Sequence, residues 1–218
     1  MIIAIDGPAG AGKSTVARLV AKSLNFLYID TGAMYRALTL KALEQGVDIK
    51  DPRKVTELAS HTEISLFNDP QAPLKVLLDG RDVTLDIRQP RITRFVSEVA
   101  QIKEVRQIMV ELQRKLGSQG NAVLDGRDIG TVVFPNAQKK FYIDADFRER
   151  VKRRHKESNG LGQGLAVEDV AADLANRDRI DSGRAVAPLR QAADAIYVDT
   201  TKLNIEEVVN KVLGLING

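Results

Sequence analysis

A glycine-rich loop near the start of the chain constrains the fold more than any other stretch. It consists of Gly7, Pro8, Ala9, Gly10, Ala11, Gly12, Lys13 and Ser14, with Thr15 behind them. The apolar run 1–6 before it is typical of a buried strand, and apolar residues after it recur at helical spacing as far as Leu24. A glycine loop between a strand and a helix matches the phosphate-binding loop in both residues and context. The sequence therefore predicts a polyphosphate site, in which backbone N–H groups and a helix N-terminus face the anion.

Two side chains of this loop have a chemical role in that prediction. Lys13 adds a full positive charge near the oxygens on which negative charge builds during phosphoryl transfer. The Ser14 hydroxyl is expected to bind a Mg²⁺ ion that bridges the outer phosphates. A glycine turn that merely joins strand to helix is the alternative, and the flanking elements disfavour it.

The composition limits the chemistry of the rest of the site. The 218-residue chain has no cysteine and two histidines, which excludes thiolate metal sites and cysteine nucleophiles and disfavours a histidine cluster. Any bound metal is therefore expected to have oxygen ligands. The net charge of +3 is too small to favour nucleic acid, and no apolar stretch approaches the roughly 20 residues of a membrane span. We expect a cytoplasmic monomer that binds neither nucleic acid nor membranes.

Strand and helix patterns alternate along most of the chain. Further core strands are predicted at 25–29, 122–124, 140–143 and 196–198. Helices are predicted after residue 14 and at 33–45, 52–60, 90–101, 105–116, 147–157, 167–179 and 205–216, with a flexible glycine-bearing stretch at 158–164. This order predicts an α/β fold with a five-stranded parallel sheet and helices on both faces.

A different pattern interrupts this alternation. Runs at 63–67, 74–78 and 83–85 predict a small antiparallel β insert with turns at 68–73 and at Asp79-Gly80. The tetrapeptide Asp79-Gly80-Arg81-Asp82 is identical to Asp125-Gly126-Arg127-Asp128. An Asp-Gly pair between two β runs is a common hairpin turn. The first copy is therefore interpreted as structural and the identity as chance.

Polar residues follow the second core strand. Because the carboxyl ends of parallel strands border the binding crevice, Asp30, Thr31, Tyr35 and Arg36 are expected near the mouth of the phosphate loop. The position of Thr31 fits a phosphate ligand and a helix N-cap equally well. Arginines are also frequent between 147 and 190, where interspersed acidic residues indicate that some belong to an exposed, charge-paired helix face.

Four segments together resemble the bacterial cytidylate kinases, which are P-loop nucleoside monophosphate kinases. They are the phosphate loop, Asp30-Thr31-Gly32 with Tyr35-Arg36, the run from Asp125 to Pro135, and Arg184-Ala185-Val186-Ala187-Pro188-Leu189. The resemblance covers nearly the whole chain. It implies that the loop Gly7 to Thr15 binds ATP with Mg²⁺, and that the γ-phosphate passes to CMP or dCMP.

The resemblance also implies how the chain is divided. Residues 1–34, 98–147 and 181–218 would form the core, and 35–97 a CMP-binding domain that includes the β insert at 62–88. Residues 148–180 would form a helical lid. Closure of such a lid would exclude water, which otherwise competes with the acceptor and wastes ATP by hydrolysis.

The resemblance assigns the acceptor site position by position. Thr31, Arg36 and Arg127 would hold the acceptor phosphate, while Asp181 and Arg184 would meet the sugar. Ser97, Arg106 and Asp128 would read the cytosine edge, and Tyr35 belongs to the same substrate set. Family members often have serine where this chain has Thr31, and the hydroxyl is kept.

The predicted reaction requires neutralisation of charge rather than a base. A phosphate acceptor has a second pKa of about 6 and is largely an oxyanion at neutral pH. Two unit charges about 4 Å apart repel each other by about 4 kcal/mol at an effective dielectric near 20. Arginine suits this task because it is always charged and donates two parallel N–H groups. The candidate catalytic residues are Lys13, Arg127, Arg150, Arg154 and Arg177, and Arg153 and Arg179 are further candidates.

Three other classes of P-loop protein are alternatives to a nucleotide kinase. A GTPase would carry Asn-Lys-x-Asp, and the nearest stretch, Asn210-Lys211-Val212-Leu213, lacks the aspartate. A motor ATPase would carry Asp-Glu at the end of a long apolar strand, and Leu124-Asp125-Gly126 does not provide it. A kinase with an alcohol acceptor would need a carboxylate base, and the sequence alone leaves this class open because Asp30 and Asp125 are available.

Overall fold

The computed structural model describes residues 1–68 and 74–218, and within them the chain forms two sheets and a set of flanking helices. The strands are β1 (Ile2–Asp6), β2 (Leu27–Asp30), β3 (Ile64–Phe67), β4 (Lys75–Leu78), β5 (Arg81–Asp82), β6 (Ala122–Gly126), β7 (Lys139–Asp144) and β8 (Ile196–Asp199). The helices are α1 (Lys13–Leu24), α2 (Thr31–Glu44), α3 (Pro52–Ser60), α4 (Pro90–Gln101), α5 (Lys103–Gly117), α6 (Phe147–Gly160), α7 (Val167–Gly183) and α8 (Ile205–Asn217).

The main sheet has five parallel strands in the order β2-β6-β1-β7-β8. Its register pairs Asp30 with Asp125 across β2 and β6, and Asp6 with Gly126 across β1 and β6. Three strand ends that carry acidic or glycine residues therefore meet at one edge, directly beside the phosphate loop. The predicted α/β fold with a five-stranded parallel sheet is confirmed.

Helices cover both faces of this sheet, as predicted. The side chains of Ile3 and Ile5 pack with α1 and α8 on one face, whereas Ala4 between them packs with α2 and α5 on the other. This alternation follows from the two-residue period of a strand, which sends successive side chains to opposite faces. Both faces are buried, which explains why β1 reads as a continuous apolar run. No helix in the described residues is both long enough and apolar enough to cross a membrane.

The β insert is a three-stranded antiparallel sheet, β3-β4-β5. Its third strand lies at Arg81–Asp82, so the prediction of a strand at 83–85 was wrong. The reason is the turn: Asp79 and Gly80 both have positive φ (48° and 82°), so pairing with β4 resumes at once at Arg81. Val83 instead buries its side chain in the core. The other predicted turn, at 68–73, lies outside the described residues except for Asn68.

Helices α6 and α7 form an arginine-rich pair beside the phosphate loop. An apolar cluster of Ala9, Val151, Val170 and Leu174 joins this pair to the loop. The prediction of a flexible stretch at 158–164 is partly wrong, because helix α6 continues to Gly160. The glycines that leave regular helix are Gly162 and Gly164, with φ of 69° and 58°. The division of the chain into core, CMP-binding domain and lid stays a prediction.

Candidate active site

The phosphate loop curves between β1 and α1 around its own lysine. Gly7, Gly10 and Gly12 have φ values of 147°, 77° and 89°, which L side chains rarely adopt. A Cβ on Gly7 would lie 1.9 Å from the Ile143 carbonyl oxygen, so only glycine fits there. The Lys13 ammonium donates to the Pro8 carbonyl oxygen at 2.5 Å, and the residue is buried. The lysine thus lies inside the curve where an anion is expected.

Asp125, at the end of β6, connects the phosphate loop to β2. One carboxylate oxygen accepts from the Ser14 hydroxyl at 2.7 Å and the other from the Tyr28 hydroxyl at 2.8 Å. Thr31 donates its hydroxyl proton to the Asp125 backbone carbonyl at 2.7 Å. Burial, and then the charge of Asp30 on the neighbouring strand, raise the pKa of Asp125 to about 6.

The N-cap of α2 is Asp30, not Thr31. The Asp30 carboxylate accepts from the Ala33 backbone N–H at 2.7 Å and also pairs with Arg36 at 3.2 Å. The interpretation of Thr31 as a cap was therefore wrong, because the residue before it takes that role and its own hydroxyl is directed at β6. Its role as a phosphate ligand stays a prediction.

Three cations lie near one another beside the loop, and we call them the cationic cluster: the buried Lys13 and the partly buried Arg127 and Arg177. Burial, and then the charge of Arg127, hold the pKa of Lys13 well below its usual range. The same two causes lower the pKa of Arg177 to about 10. The Arg177 Nε has no hydrogen-bond acceptor within the described residues. Arg127 lowers the pKa of the other two cations, whereas its own pKa is raised because the charge and hydrogen bond of Asp181 outweigh burial. An anion bound here would favour the charged forms of Lys13 and Arg177, so the arrangement favours an anionic ligand.

Next to this cluster lies a second group of charged residues, the acceptor-side network. Its members are Arg106, Arg127, Asp128, Asp181 and Arg184. Arg106 is hydrogen-bonded to Asp128, and the Arg127 Nε donates to Asp181 at 2.8 Å. Arg184 lies 3.8 Å from both Asp128 and Asp181. Five of the residues predicted for the acceptor site are therefore brought together in one continuous network.

The remaining acceptor-site residues surround that network. The Tyr35 ring lies 5.6 Å from the Arg106 guanidinium carbon, and burial raises the pKa of Tyr35 to about 12. Arg36 is bound to Asp30 one strand away. Ser97 is buried on α4, and in the described part of the chain no hydrogen bond joins it to the network.

The arginines predicted on α6 do not all face the same way. Arg150 donates to the Ala9 carbonyl at 2.9 Å and to Asp178 at 2.6 Å, so it supports the phosphate loop from behind. Arg153 donates to the Thr200 carbonyl at 2.6 Å. Arg154 binds Glu157 at 2.8 Å and reaches Thr93 of α4 at 3.3 Å. Of the predicted residues on α6 and α7, Arg177 is the one that joins Lys13 and Arg127; phosphate contacts by Arg150 and Arg154 stay predictions.

Sequence reasoning missed three residues that shape this site. Asp6 accepts from the backbone N–H groups of Ile129 and Gly130 at 2.8 Å each, and burial raises its pKa to about 6. The sequence did contain a sign of this role for Asp6, because a carboxylate at the end of a buried apolar strand is unusual. Tyr28 and Asp178 gave no such signal, because their partners lie 97 and 28 residues away in sequence.

Comparison with known proteins agrees with this geometry. The family model described as cytidylate kinase matches residues 3–218. The chain belongs to the cytidylate kinase family. A cytidylate kinase of Carboxydothermus hydrogenoformans is 49% identical, with 99% of this chain and 97% of that protein covered. One from Clostridioides difficile is also 49% identical, with coverages of 100% and 98%.

A solved structure provides a weaker, purely architectural likeness. The crystal structure of an uncharacterized protein from Eubacterium ventriosum covers 100% of this chain and 99% of its own, with a TM-score of 0.56 and 13% identity. That likeness concerns the fold alone. Membership of the cytidylate kinase family, in contrast, identifies the chain as a kinase, and therefore as a phosphotransferase with a nucleotide substrate.

Proposed function

We propose that this kinase transfers the γ-phosphate of ATP to CMP or dCMP, giving ADP and CDP or dCDP. The observation that carries the proposal is the position of the cationic cluster of Lys13, Arg127 and Arg177. It lies between the glycine loop, which suits a polyphosphate donor, and the acceptor-side network. Arg127 belongs to both groups, and this supports a role for it in neutralising both anions.

The donor side of the proposal is Gly7 to Thr15 with Mg²⁺. The loop offers backbone N–H groups and Lys13, and Ser14 and Asp125 offer oxygen, the ligand type that Mg²⁺ prefers. No group of three or more His, Cys, Asp or Glu side chains in the described residues could hold a metal by itself. This fits an ion bound mainly through Ser14, water and phosphate oxygens. When bound, Mg²⁺ supplies charge neutralisation and orients the phosphate oxygens for transfer.

The acceptor phosphate would be held by Thr31, Arg36 and Arg127. Both arginines are paired with carboxylates, Arg36 with Asp30 and Arg127 with Asp181. The acceptor phosphate would share or replace these partners, so that the arginines stay neutralised before and after binding. Because the phosphate is itself an oxyanion, it attacks without losing a proton.

An alcohol acceptor is less compatible with the same site. Such a reaction needs a carboxylate base with a free oxygen near the hydroxyl. Asp30 is engaged by the Ala33 N–H and by Arg36, and both oxygens of Asp125 accept from Ser14 and Tyr28. These contacts favour a nucleotide phosphate as the acceptor.

Cytosine would be chosen by Asp128 and Arg106. A carboxylate accepts from the amino group of cytosine, whereas uracil presents an oxygen at that position and leaves the carboxylate repelled or unpaired. Arg184 lies 3.8 Å from both Asp128 and Asp181, so base and sugar recognition would be linked through one guanidinium. This supports recognition of CMP and dCMP over UMP.

Further parts of the proposal concern the lid, the oligomeric state and the location of the enzyme in the cell. Helices α6 and α7 would act as the lid over 148–180, with Arg154 contacting α4 through Thr93. We also propose that the enzyme works as a cytoplasmic monomer, in keeping with a chain that binds small nucleotides.

A substrate panel tests the proposal. Steady-state rates are measured with ATP, Mg²⁺ and each of CMP, dCMP, UMP and AMP. We expect kcat/KM for CMP and dCMP to exceed that for UMP and AMP by at least about 10²-fold, because a buried charged group left without a partner costs about 3 kcal/mol. Equal turnover of UMP or AMP would refute the assigned acceptor. ATP hydrolysis that is as fast without any acceptor would refute the kinase reaction itself.

A further inference from the structure

The Asp125 carboxylate accepts two hydroxyl protons at once. Ser14 donates to Oδ2 at 2.7 Å, and Tyr28 donates to Oδ1 at 2.8 Å. All three residues come from different elements: the start of α1, the end of β6 and the edge strand β2. Asp125 and Tyr28 are buried, with relative exposures of 3% and 5%.

The direction of the Ser14 hydrogen bond decides what its oxygen can do. A hydroxyl has one proton and two lone pairs. Because the Ser14 proton is given to Asp125, the lone pairs are left for a cation on the other side. If the Asp125 carboxylate rotated away, the Ser14 hydroxyl would donate its proton to another acceptor, and its lone pairs would no longer have this orientation. The alignment of Ser14 therefore depends on the orientation of Asp125.

Tyr28 is the residue that fixes this orientation. Asp30 stands beside Asp125 across the β2–β6 ladder, and its negative charge disfavours a carboxylate oxygen turned toward β2. The Tyr28 hydroxyl offsets this by donating to that oxygen. The ring itself packs among apolar residues between the sheet and α1, and the Tyr28 backbone N–H is held by Asn68 at 3.2 Å. The donor is thus rigidly placed.

We propose that Tyr28 is a positioning residue for the Mg²⁺ ligand Ser14 and acts on it through Asp125. Tyr28 itself does not contact the metal or the nucleotide. The inference rests on one part of the proposed function, namely that ATP binds at the phosphate loop with Mg²⁺ at Ser14. It does not depend on the identity of the acceptor. Removing a residue that orients a metal ligand by hydrogen bonding generally lowers metal affinity by about 10- to 100-fold.

The test is Tyr28→Phe, which deletes one oxygen atom and keeps the packed ring. ATP affinity is measured by calorimetry in excess Mg²⁺ and in EDTA, and the ratio of the two affinities is the readout. We expect the Mg²⁺ enhancement to fall by about tenfold or more, while the affinity in EDTA stays within about twofold. Tyr197→Phe is the matched control, since it deletes a hydroxyl that lies 3.4 Å from Asp144 at the sheet edge. Its enhancement should equal that of the wild type.

A second variant separates action through Ser14 from a general effect. In a Ser14→Ala background, adding Tyr28→Phe should change the Mg²⁺ enhancement no further, because the residue through which Tyr28 acts is gone. Additive losses would overturn the inference, and so would an unchanged enhancement or an equal loss of affinity with and without Mg²⁺ in Tyr28→Phe alone. A wild-type enzyme with no Mg²⁺ enhancement would instead remove the metal from the proposed function, and the inference with it.

Discussion

The two Asp-Gly-Arg-Asp segments share every letter and differ in almost everything else. In the first copy, Asp79 and Gly80 form the tip of a hairpin, and the Arg81 side chain is 53% exposed and pairs with Glu44. In the second copy, Asp125 and Gly126 end a buried strand. There, Arg127 points into the cationic cluster and binds Asp181.

The difference comes from what surrounds each segment. The first copy joins two antiparallel strands of a small exposed sheet, so its side chains meet solvent and surface partners. The second copy lies at the carboxyl edge of a parallel sheet, where strands β1, β2 and β6 end together. The chemistry of the second copy therefore arises from topology, not from the tetrapeptide itself. Each residue of the first copy provides a matched control for its counterpart.

The largest expected effect separates the two arginines. Arg127→Ala should lower kcat/KM for CMP by about 10³-fold, the scale of an arginine that neutralises a transferring phosphate. Arg81→Ala should leave kcat/KM within about twofold and the free energy of unfolding nearly unchanged, because its ion pair is exposed. Steady-state kinetics and urea denaturation of both variants check this. Comparable losses of activity in the two would contradict the assignment.

The two glycines should differ in stability and in acceptor binding. A Cβ on Gly126 would lie 2.7 Å from Ile129 Cδ1 and 2.8 Å from Thr31 Oγ1, so Gly126→Ala should destabilise by about 1–3 kcal/mol through overpacking. It should also raise the KM for CMP because Thr31 is displaced. Gly80→Ala meets open space and should cost about 1 kcal/mol, from positive φ alone. The check is urea denaturation with KM measured for each; a larger cost at Gly80 would oppose this account.

Asp79 and Asp125, the first residues of the two tetrapeptides, should show opposite pH dependences of the free energy of unfolding. The pKa of Asp125 is raised from 3.8 to about 6, so its favourable contribution is complete below about pH 4 and is lost as pH rises through 6. Relative to Asp125→Asn, the wild type should therefore lose on the order of 2 kcal/mol between pH 4 and 7.

At Asp79, burial raises the pKa, but the hydrogen bonds from Lys41 and from the Glu63 backbone N–H, with the charge of Lys41, together outweigh it and the net pKa is lowered. Its contribution is present above about pH 4 and is lost as pH falls. Because the group is largely exposed, the loss should be only a few tenths of a kcal/mol. Urea denaturation from pH 3 to 7 of Asp79→Asn and Asp125→Asn measures both slopes. Slopes of the same sign would contradict the raised pKa of the buried Asp125.

The sequence was sufficient to predict the sheet and the phosphate loop because these depend on local patterns. Strand β1 is a continuous apolar run that ends at a glycine loop, and both features are visible in neighbouring letters. The turn at Asp79-Gly80 was predicted, but the third strand of the insert was predicted two residues late, since Arg81 and Asp82 are charged whereas the following Val83 and Leu85 are apolar. The extension of α6 to Gly160 was missed because a Ser-Asn-Gly run normally ends a helix.

The contacts of the site were predictable only in part. The family resemblance provided roles for Arg127 and Asp181, but not that these residues bind each other across 54 positions. The sequence alone also does not indicate that Asp6 accepts hydrogen bonds from the backbone N–H groups of Ile129 and Gly130, more than 120 residues away. Such pairs are set by the order of strands in the sheet, which brings β1, β6 and the end of α7 together.

The central claim is that the acceptor-side network recognises a cytosine nucleotide. Calorimetric titration of the wild-type enzyme with CMP and with UMP, at one ionic strength and without ATP, measures that recognition apart from catalysis. We predict a saturable CMP site and UMP binding that is weaker by about 10²-fold, because uracil leaves the buried Asp128 carboxylate without a donor at a cost of about 3 kcal/mol. Equal affinity for the two nucleotides, or no uptake of CMP at all, would contradict it.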